Sequence, residues 1–489
     1  MKAFLMFEND DFTARQKYTL NGSILKQDLE LNTLCNAMAS GDVFVSKMVM
    51  DAILSGFSND LNTILYRQDI LKDTLENATV VRDIYKIAAD AIGSRNKHWF
   101  FHSMLLHSSI SNLKDLMGFL KQLKILADDN LSKFKSRGFT RFFGMIKKEL
   151  DDEYITKVLN RLLELEFHDG ILLNAGLGSG RYILREPFDK RQNWMQRLLT
   201  KKTTVYSFSI DPRDENSSSK LREIKEESTN VIAKTLAQSM EHIFSFFEML
   251  RTEVAFYIGC LNLKEKLTLI GEQTSFPKPI EANLRVHSFT GLYDVCLALT
   301  MKQKIIRNDL TATNRNLFLI TGANKGGKST FLRGIGLAQM MMQCGMFAPA
   351  DTFSANICDY LFTHFKREED STMTRGKLDE ELNRMNRIAD NITSNSMILF
   401  NESFAATNER EGSEIARQIV NALLEKRIKV FFVTHLFDFA NSYYYKNREN
   451  AIFLRAERQT DGTRTFKLKE GEPLQTSYGE DLFNKIFKS

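Results

Sequence analysis

The first proline in this chain is Pro187, and only five more follow in a sequence of 489 residues. Proline has no amide proton and its ring clashes with the preceding turn, so a long stretch without it leaves helix available throughout. The stretch before Pro187 is also rich in Leu, Ile, Lys, Asp and Asn, and reads as mostly helical. VFVSKMVMDAILSGF (43–57) and LNTILYRQDILKDTLENATVVRDIYKIAADAI (61–92) carry apolar residues at three- and four-residue spacing, which predicts amphipathic helices. The length suggests about three domains, and 43% hydrophobic with 26% charged residues can bury large cores. No apolar run approaches the roughly 18–20 residues of a membrane helix, so no membrane partner is expected. The start, MKAFLMFENDDF, has acids where a secretory signal has basic and long apolar regions. Five scattered cysteines (Cys35, Cys260, Cys296, Cys344, Cys358) argue against a disulfide framework or a CxxC zinc pattern and favour a reducing, cytoplasmic compartment.

Between Gly170 and Asp214 the texture changes. GILLNAGLGSGRYILREPF is glycine-rich with β-branched residues, and TTVYSFSI alternates like a strand, so a small β-containing insertion is expected. DENSSSK (214–220) reads as a loop tip. Helical texture returns at Leu221 and runs through VIAKTLAQSMEHIFSFFEMLRTEVAFYIGCLNLKEKL (231–267), long enough for an extended helix or a hairpin arm. TSFPKPIEAN then breaks the pattern at Pro277 and Pro279. Beyond it strands alternate with helices: LFLIT, the helix STFLRGIGLAQMMMQCG closed by Gly345, MILF, the helix EGSEIARQIVNALLEK, and KVFFVTH. That order predicts a mainly parallel sheet with crossover helices. The fold class is therefore α followed by α/β.

The first of these strand–helix junctions reads TGANKGGKST, and Gly322–Ser329 fits G-x-x-x-x-G-K-[ST]. A chain that wraps a polyphosphate must turn several amide protons inward. Gly322, Gly326 and Gly327 permit that backbone, and Ala323, Asn324, Lys325 and Thr330 complete the cradle. Lys328 reaches the β/γ phosphates, Ser329 offers its hydroxyl to Mg²⁺, and the helix adds its positive end. The plainer alternative is a glycine-rich turn with an exposed lysine. SMILFNESF supplies a second strand ending in Asn401-Glu402. Glu402 is placed to polarise an attacking water, and Asn401 to orient Mg²⁺ through a bound water. Thr434-His435 ends the strand KVFFV, where His435 can sense a γ-phosphate; a structural histidine is the alternative.

Two basic stretches stand out against a net charge of only +5. LSKFKSRGFTRFFGMIKK (131–148) holds Lys133, Lys135, Arg137, Arg141, Lys147 and Lys148 with no acid, interleaved with Phe134, Phe139, Phe142 and Phe143. Two readings stand: a phosphate-binding surface whose rings contact unstacked bases, or a solvated helix face whose phenylalanines are core. The second stretch, Arg181–Lys202, includes Arg191, Arg197, Lys201 and Lys202 around Trp194, and nucleic-acid contact is expected there too.

TGANKGGKSTFLR, GMFAPA, the acid after MILF, and VTHLFDF together resemble the ATPase domain of the MutS family, the mismatch-repair branch of the ABC-type ATPases. TILYRQDIL and the long helical arms resemble the MutS core and lever. GCLNL, THFKREED, GKLDEEL, FNESFAATNEREGSEIA and FLRAER–TSYGED look like a bacterial MutS-like subgroup. The resemblance implies an N-terminal segment at 1–29, a core and lever at 30–275 with a DNA-gripping clamp at about 170–214, and an ABC-type ATPase at 276–489. No Phe-x-Glu wedge appears, Gly376-Lys377 stands where the family's signature has Ser-Thr, Ile305 where it has an adenine-stacking aromatic, and Asn401 where it has Asp; Glu381 matches a family acid. The resemblance implies a homodimer that uses ATP and Mg²⁺, hydrolyses slowly, and clamps double-stranded or branched DNA in repair or recombination, in the cytoplasm or nucleoid. A ribosome- or RNA-associated factor and a weakly hydrolysing ATP-binding scaffold are the rival expectations.

Overall fold

The computed structural model describes residues 1–12, 21–102, 106–166, 171–175, 182–187, 215–367, 376–446, 450–459, 464–473 and 487. The chain divides into two units. One comprises Met1–Ala3, Thr79–Lys135 and Phe139–Thr252; the other comprises Phe4–Ala78, Ser136–Gly138 and Glu253–Ser489.

The first unit is built on helices, as the missing prolines predict. Ala78–His102 and Leu106–Asn130 run for 25 residues each, and Arg137–Glu149 and Asp152–Glu164 follow. The predicted helical run 61–92 is interrupted at Asn77, which lies between the helices Leu61–Glu76 and Ala78–His102. The Asn77 amide still donates to the Asp73 carbonyl at 2.9 Å, while its side chain competes for the same carbonyl at 3.1 Å. Such local bonding lets asparagine end a helix inside an unbroken apolar pattern.

The insertion contains an antiparallel pair, β1 (Ile171–Ala175) and β2 (Tyr182–Pro187). TTVYSFSI, also read as a strand, lies outside the described residues. The arm after it is a single helix, Glu215–Leu269, of 55 residues. DENSSSK is thus not a loop tip, because Glu215–Lys220 form its opening turns. Serine and asparagine cost only tenths of a kcal/mol each in a helix, and a long downstream helix propagates through them cheaply.

The second unit holds two sheets. The short strands β3 (Lys278–Ile280), β4 (His287–Leu292), β5 (Asn308–Leu310) and β7 (Thr352–Asn356) form one in the order β3-β7-β4-β5, which strand–helix alternation did not predict. The other contains β6 (Leu317–Thr321), β8 (Leu361–Phe365), β9 (Met397–Asn401), β10 (Lys429–Val433), β11 (Ala451–Arg458) and β12 (Arg464–Glu470). Its order is β12-β11-β6-β10-β9-β8, with every pairing parallel except β11–β12. The strands LFLIT and KVFFV are buried along their whole length, as continuous apolar runs require when helices cover both faces. On one face Ile398, Phe400, Val430 and Phe432 pack with Met385, Ala416, Val420 and Phe439 from three helices. The helix Lys328–Gln343 ends as expected: Gly345 turns left-handed (φ +79°), and Met346 donates to the Met341 carbonyl at 2.9 Å.

Candidate functional site

The carboxyl ends of β6, β9 and β10 meet at one place, where open parallel sheets hold their ligands. After β6 the chain turns through Gly322 (φ +112°) and Gly327 (φ +87°), conformations in which a side chain would be strained. The loop also lies close to β11: a Cβ on Gly326 would sit 2.8 Å from that of Ala456. The helix Lys328–Gln343 starts at the loop's end and directs its first amides into it. Lys328 is buried, and its ammonium donates to the carbonyls of Gly322 and Ala323, each at 2.9 Å. Burial brings its pKa down to about 8; Glu402 opposes that shift and Arg464 adds to it.

At the end of β9 the Asn401 amide oxygen accepts the Ser329 hydroxyl at 2.9 Å, and next to it Glu402 Oε1 lies 3.0 Å from His435 Nε2. That hydrogen bond holds the Glu402 carboxyl below its ordinary range, against burial, and Lys328 and Lys366 reinforce it through charge. Glu402 and Phe404 both adopt left-handed backbone, at φ +54° and +63°. The expected nucleotide-site residues therefore converge: the loop Gly322–Thr330, Asn401, Glu402 and His435 form one cluster.

A cleft of about 560 Å³ opens from Lys325–Phe331 and Glu402 and continues along Tyr293, Leu297, Met301, Ile305 and Ile306. Ile305 lines it. An aromatic also lines this cleft, Phe466 on β12, a position that no motif marked. Phe466 is about half exposed, and a Cβ on Gly327 would touch it at 3.4 Å. One end of the cleft is thus lined with amides and a lysine, the other with apolar side chains, which suits a polyphosphate joined to a flat ring. Ser329 and Asn401 offer neutral oxygen donors suited to a Mg²⁺ that arrives with phosphates and waters. Among the described residues no cluster of three or more His, Cys, Asp or Glu could cage such an ion by itself.

The four phenylalanines of the first basic stretch are core. Phe139, Phe142 and Phe143 are fully buried and Phe134 nearly so, with ring centroids 4.5–5.7 Å apart. Of the two readings of this stretch, the solvated helix face whose phenylalanines are core is the one the burial supports. Lys133, Lys135, Arg137 and Arg141 are exposed around them; Arg137 pairs with Glu8, and Lys133 bonds Asn130. Arg191, Arg197, Lys201 and Lys202 lie outside the described residues, and no helix among the described residues is long and apolar enough to cross a membrane.

Comparison with known proteins matches the two parts of the chain separately. The family model "MutS2 N-terminal domain" matches residues 59–270, and "MutS domain V" matches residues 318–485. "MutS protein homolog 4" of Homo sapiens is 26% identical over 291 residues, 58% of this chain and 30% of that protein. "DNA mismatch repair protein MutS" of Prochlorococcus marinus (strain MIT 9301) is 25% identical over 315 residues, 63% of this chain and 33% of that protein. The protein of the same name from Thermotoga petrophila is 30% identical over 210 residues, 42% of this chain and 26% of that protein. The chain spans about a third or less of the length of these relatives. With the two matches covering the helical arm and the α/β sheet in turn, the chain is a MutS-like protein, similar to the MutS2 N-terminal domain over residues 59–270 and to MutS domain V over residues 318–485.

Proposed function

We propose that this protein binds and slowly hydrolyses ATP with Mg²⁺, and uses that cycle as a homodimer to clamp double-stranded or branched DNA. The observation that carries the reading is the convergence of Lys328, the Ser329–Asn401 bond and the Glu402–His435 pair at the ends of three parallel strands. Lys328 and the loop amides hold the phosphates, Glu402 polarises water, and His435 orients Glu402 and senses the phosphate end. Ser329, and Asn401 through a bound water, would hold Mg²⁺, which when bound would neutralise phosphate charge. The helical arm at 30–275 and its insertion grip the nucleic acid, and 276–489 performs the ATPase cycle. Relatives that are named DNA mismatch repair proteins support DNA as the partner.

Lys328 supplies a pH test. The free lysine titrates at about 8, and phosphates favour its ammonium form. Binding should therefore take up a proton around pH 8, and ATP affinity should fall as pH rises beyond it, up to about tenfold per unit. Calorimetry in two buffers of different ionisation enthalpy, repeated from about pH 7 to about pH 10, measures this uptake, and none anywhere across that range would remove Lys328 from the phosphates. Asn401 supplies a second test. An Asp there would accept the same Ser329 bond and add a negative charge beside the ion. Asn401→Asp should lower the Mg²⁺ concentration for half-maximal ATP binding, and an unchanged or raised midpoint would overturn Asn401's assignment to the metal.

DNA binding is tested through salt. Neutralising Lys133, Lys135 and Arg141, or Arg191, Arg197, Lys201 and Lys202, should weaken binding to all duplexes alike. The slope of log affinity against log salt should fall by about 0.9 for each phosphate that is no longer neutralised. A slope equal to the parent's would clear those residues of the phosphate backbone. Crosslinking that recovered RNA in place of DNA would overturn the partner.

A further inference from the structure

The turn that carries Glu402 is held by a side chain from another element. After β9 the backbone passes through Glu402 and Phe404, both left-handed without being glycine, a conformation that costs about 1 kcal/mol or more per residue and persists only where its surroundings impose it. Three surroundings impose it here. The Glu402 amide donates to the Val433 carbonyl at 2.9 Å. The Phe404 amide donates to Glu381 Oε2 at 2.6 Å, and Glu381 is buried in the helix Lys377–Ala389. The Phe404 carbonyl abuts Gly412 so closely that a Cβ there would lie 2.4 Å from its oxygen.

The intervening residue is tied to the same helix. Ser403 Oγ lies 2.6 Å from the carbonyl of His364 and 2.7 Å from its Nδ1, and His364 Nε2 lies 3.0 Å from the Glu381 carbonyl. Burial pushes this imidazole down to about 4, so it is neutral and has one proton to give. The Glu381 carbonyl can only accept, so its contact with His364 takes the imidazole proton on Nε2, while the Ser403 hydroxyl donates to the His364 carbonyl. The Phe404 ring stacks on His364 with centroids 5.2 Å apart. Glu381 thus meets the turn twice, through its carboxylate at Phe404 and through its carbonyl by way of His364 and Ser403. Its remaining oxygen, Oε1, has no hydrogen-bond partner among the described residues, so the Phe404 amide is the hydrogen bond that fixes this carboxylate, with the charges of Arg384, Lys366 and Lys377 nearby.

We propose that Glu381 is a positioning residue for Glu402: by holding the Phe404 amide it keeps the left-handed turn that presents the Glu402 carboxylate to His435, and it transmits any shift of the helix Lys377–Ala389 to that carboxylate. The proposal rests on the reading of Glu402 as the group that polarises water. What Glu381 supplies is a hydrogen-bond acceptor at the right place, not a negative charge near substrate.

The experiment compares Glu381→Ala, Glu381→Gln and Glu402→Gln in the full-length protein, reading kcat, KM for ATP and the pH profile of kcat. Losing a hydrogen bond to a charged acceptor in a buried turn should lower kcat about 10- to 100-fold in Glu381→Ala, with KM nearly unchanged. Because His435 would no longer hold the Glu402 carboxylate ionised, the acid limb of the profile should move to higher pH. Gln offers an oxygen to the same amide, so Glu381→Gln should recover most of the loss. A role confined to stability would lower the melting temperature without moving the acid limb, and that result overturns the proposal. Glu381→Gln as impaired as Glu381→Ala also overturns it, since charge and not the acceptor would then be needed. If Glu381→Ala does not fold, Glu381→Asp, whose carboxylate falls short of the amide, carries the same comparison. If Glu402→Gln turns over like the parent, the reading of Glu402 fails and the proposal falls with it; if Glu402→Gln is inactive while Glu381→Ala is normal, the inference about Glu381 alone fails.

Discussion

Glu402→Gln is expected to hold ATP as tightly as the parent and to turn it over about 100-fold more slowly or worse. Gln can keep the hydrogen bond with His435 that Glu402 makes at 3.0 Å, but it cannot take a proton from water. Nucleotide binding is served elsewhere, by Lys328 and the loop amides, so it should survive. Lys328→Ala should show the opposite pattern. Its ammonium bridges the Gly322 and Ala323 carbonyls, and removing it leaves the cradle without its cation; ATP affinity should fall below detection while the fold stays intact. Filter binding and single-turnover hydrolysis on the two variants separate the roles. Equal affinity in Lys328→Ala and the parent would sink the phosphate-binding loop. Unchanged single-turnover rates in Glu402→Gln would remove Glu402 from the chemistry.

Phe143→Ala should be the most destabilising single change in the basic stretch. Its ring is fully buried and packs against Phe134, Phe139 and Phe142, with centroids 5.0, 5.7 and 5.5 Å away. Truncating such a ring removes its transfer free energy and leaves a cavity, at a cost of about 3–5 kcal/mol. Urea titration of the variant measures the loss. Neutralising Lys147 and Lys148 on the same helix should hardly move the midpoint, since both are exposed. If Phe143→Ala kept full stability and lost nucleic-acid binding instead, the ring would belong to an interface and its place in the core would be wrong.

The contrast between the phenylalanines and the basic residues around them shows what periodicity can and cannot say. Charge and hydrophobicity interleave in 131–148, and an amphipathic helix places the two on different faces. The pattern was equally compatible with rings offered to bases or rings turned inward. Burial decides, because it depends on what packs against the helix.

The sequence by itself determined whatever depends on neighbours along the chain. A glycine-rich turn between LFLIT and a helix can be read locally, since only a few residues accept a left-handed backbone and only that order directs amides into one loop. The acids and amides after MILF and the histidine after KVFFV were legible for the same reason: in a parallel sheet, strand ends share an edge. Tertiary structure alone decided which distant groups meet. Glu253 accepts the amides of Leu5 at 2.5 Å and Phe12 at 3.0 Å, and Tyr257 donates to the Leu5 carbonyl at 2.5 Å, pairings separated by more than 240 residues. Phe466 reaches the cleft because β12 pairs with β11, and Glu381 reaches Phe404 because its helix covers the sheet beside β8 and β9. None of these pairings leaves a periodic trace. Glu253, Tyr257 and Glu381 each sit where two surfaces, already shaped by their own local patterns, bury a polar group that must find its partner across the gap.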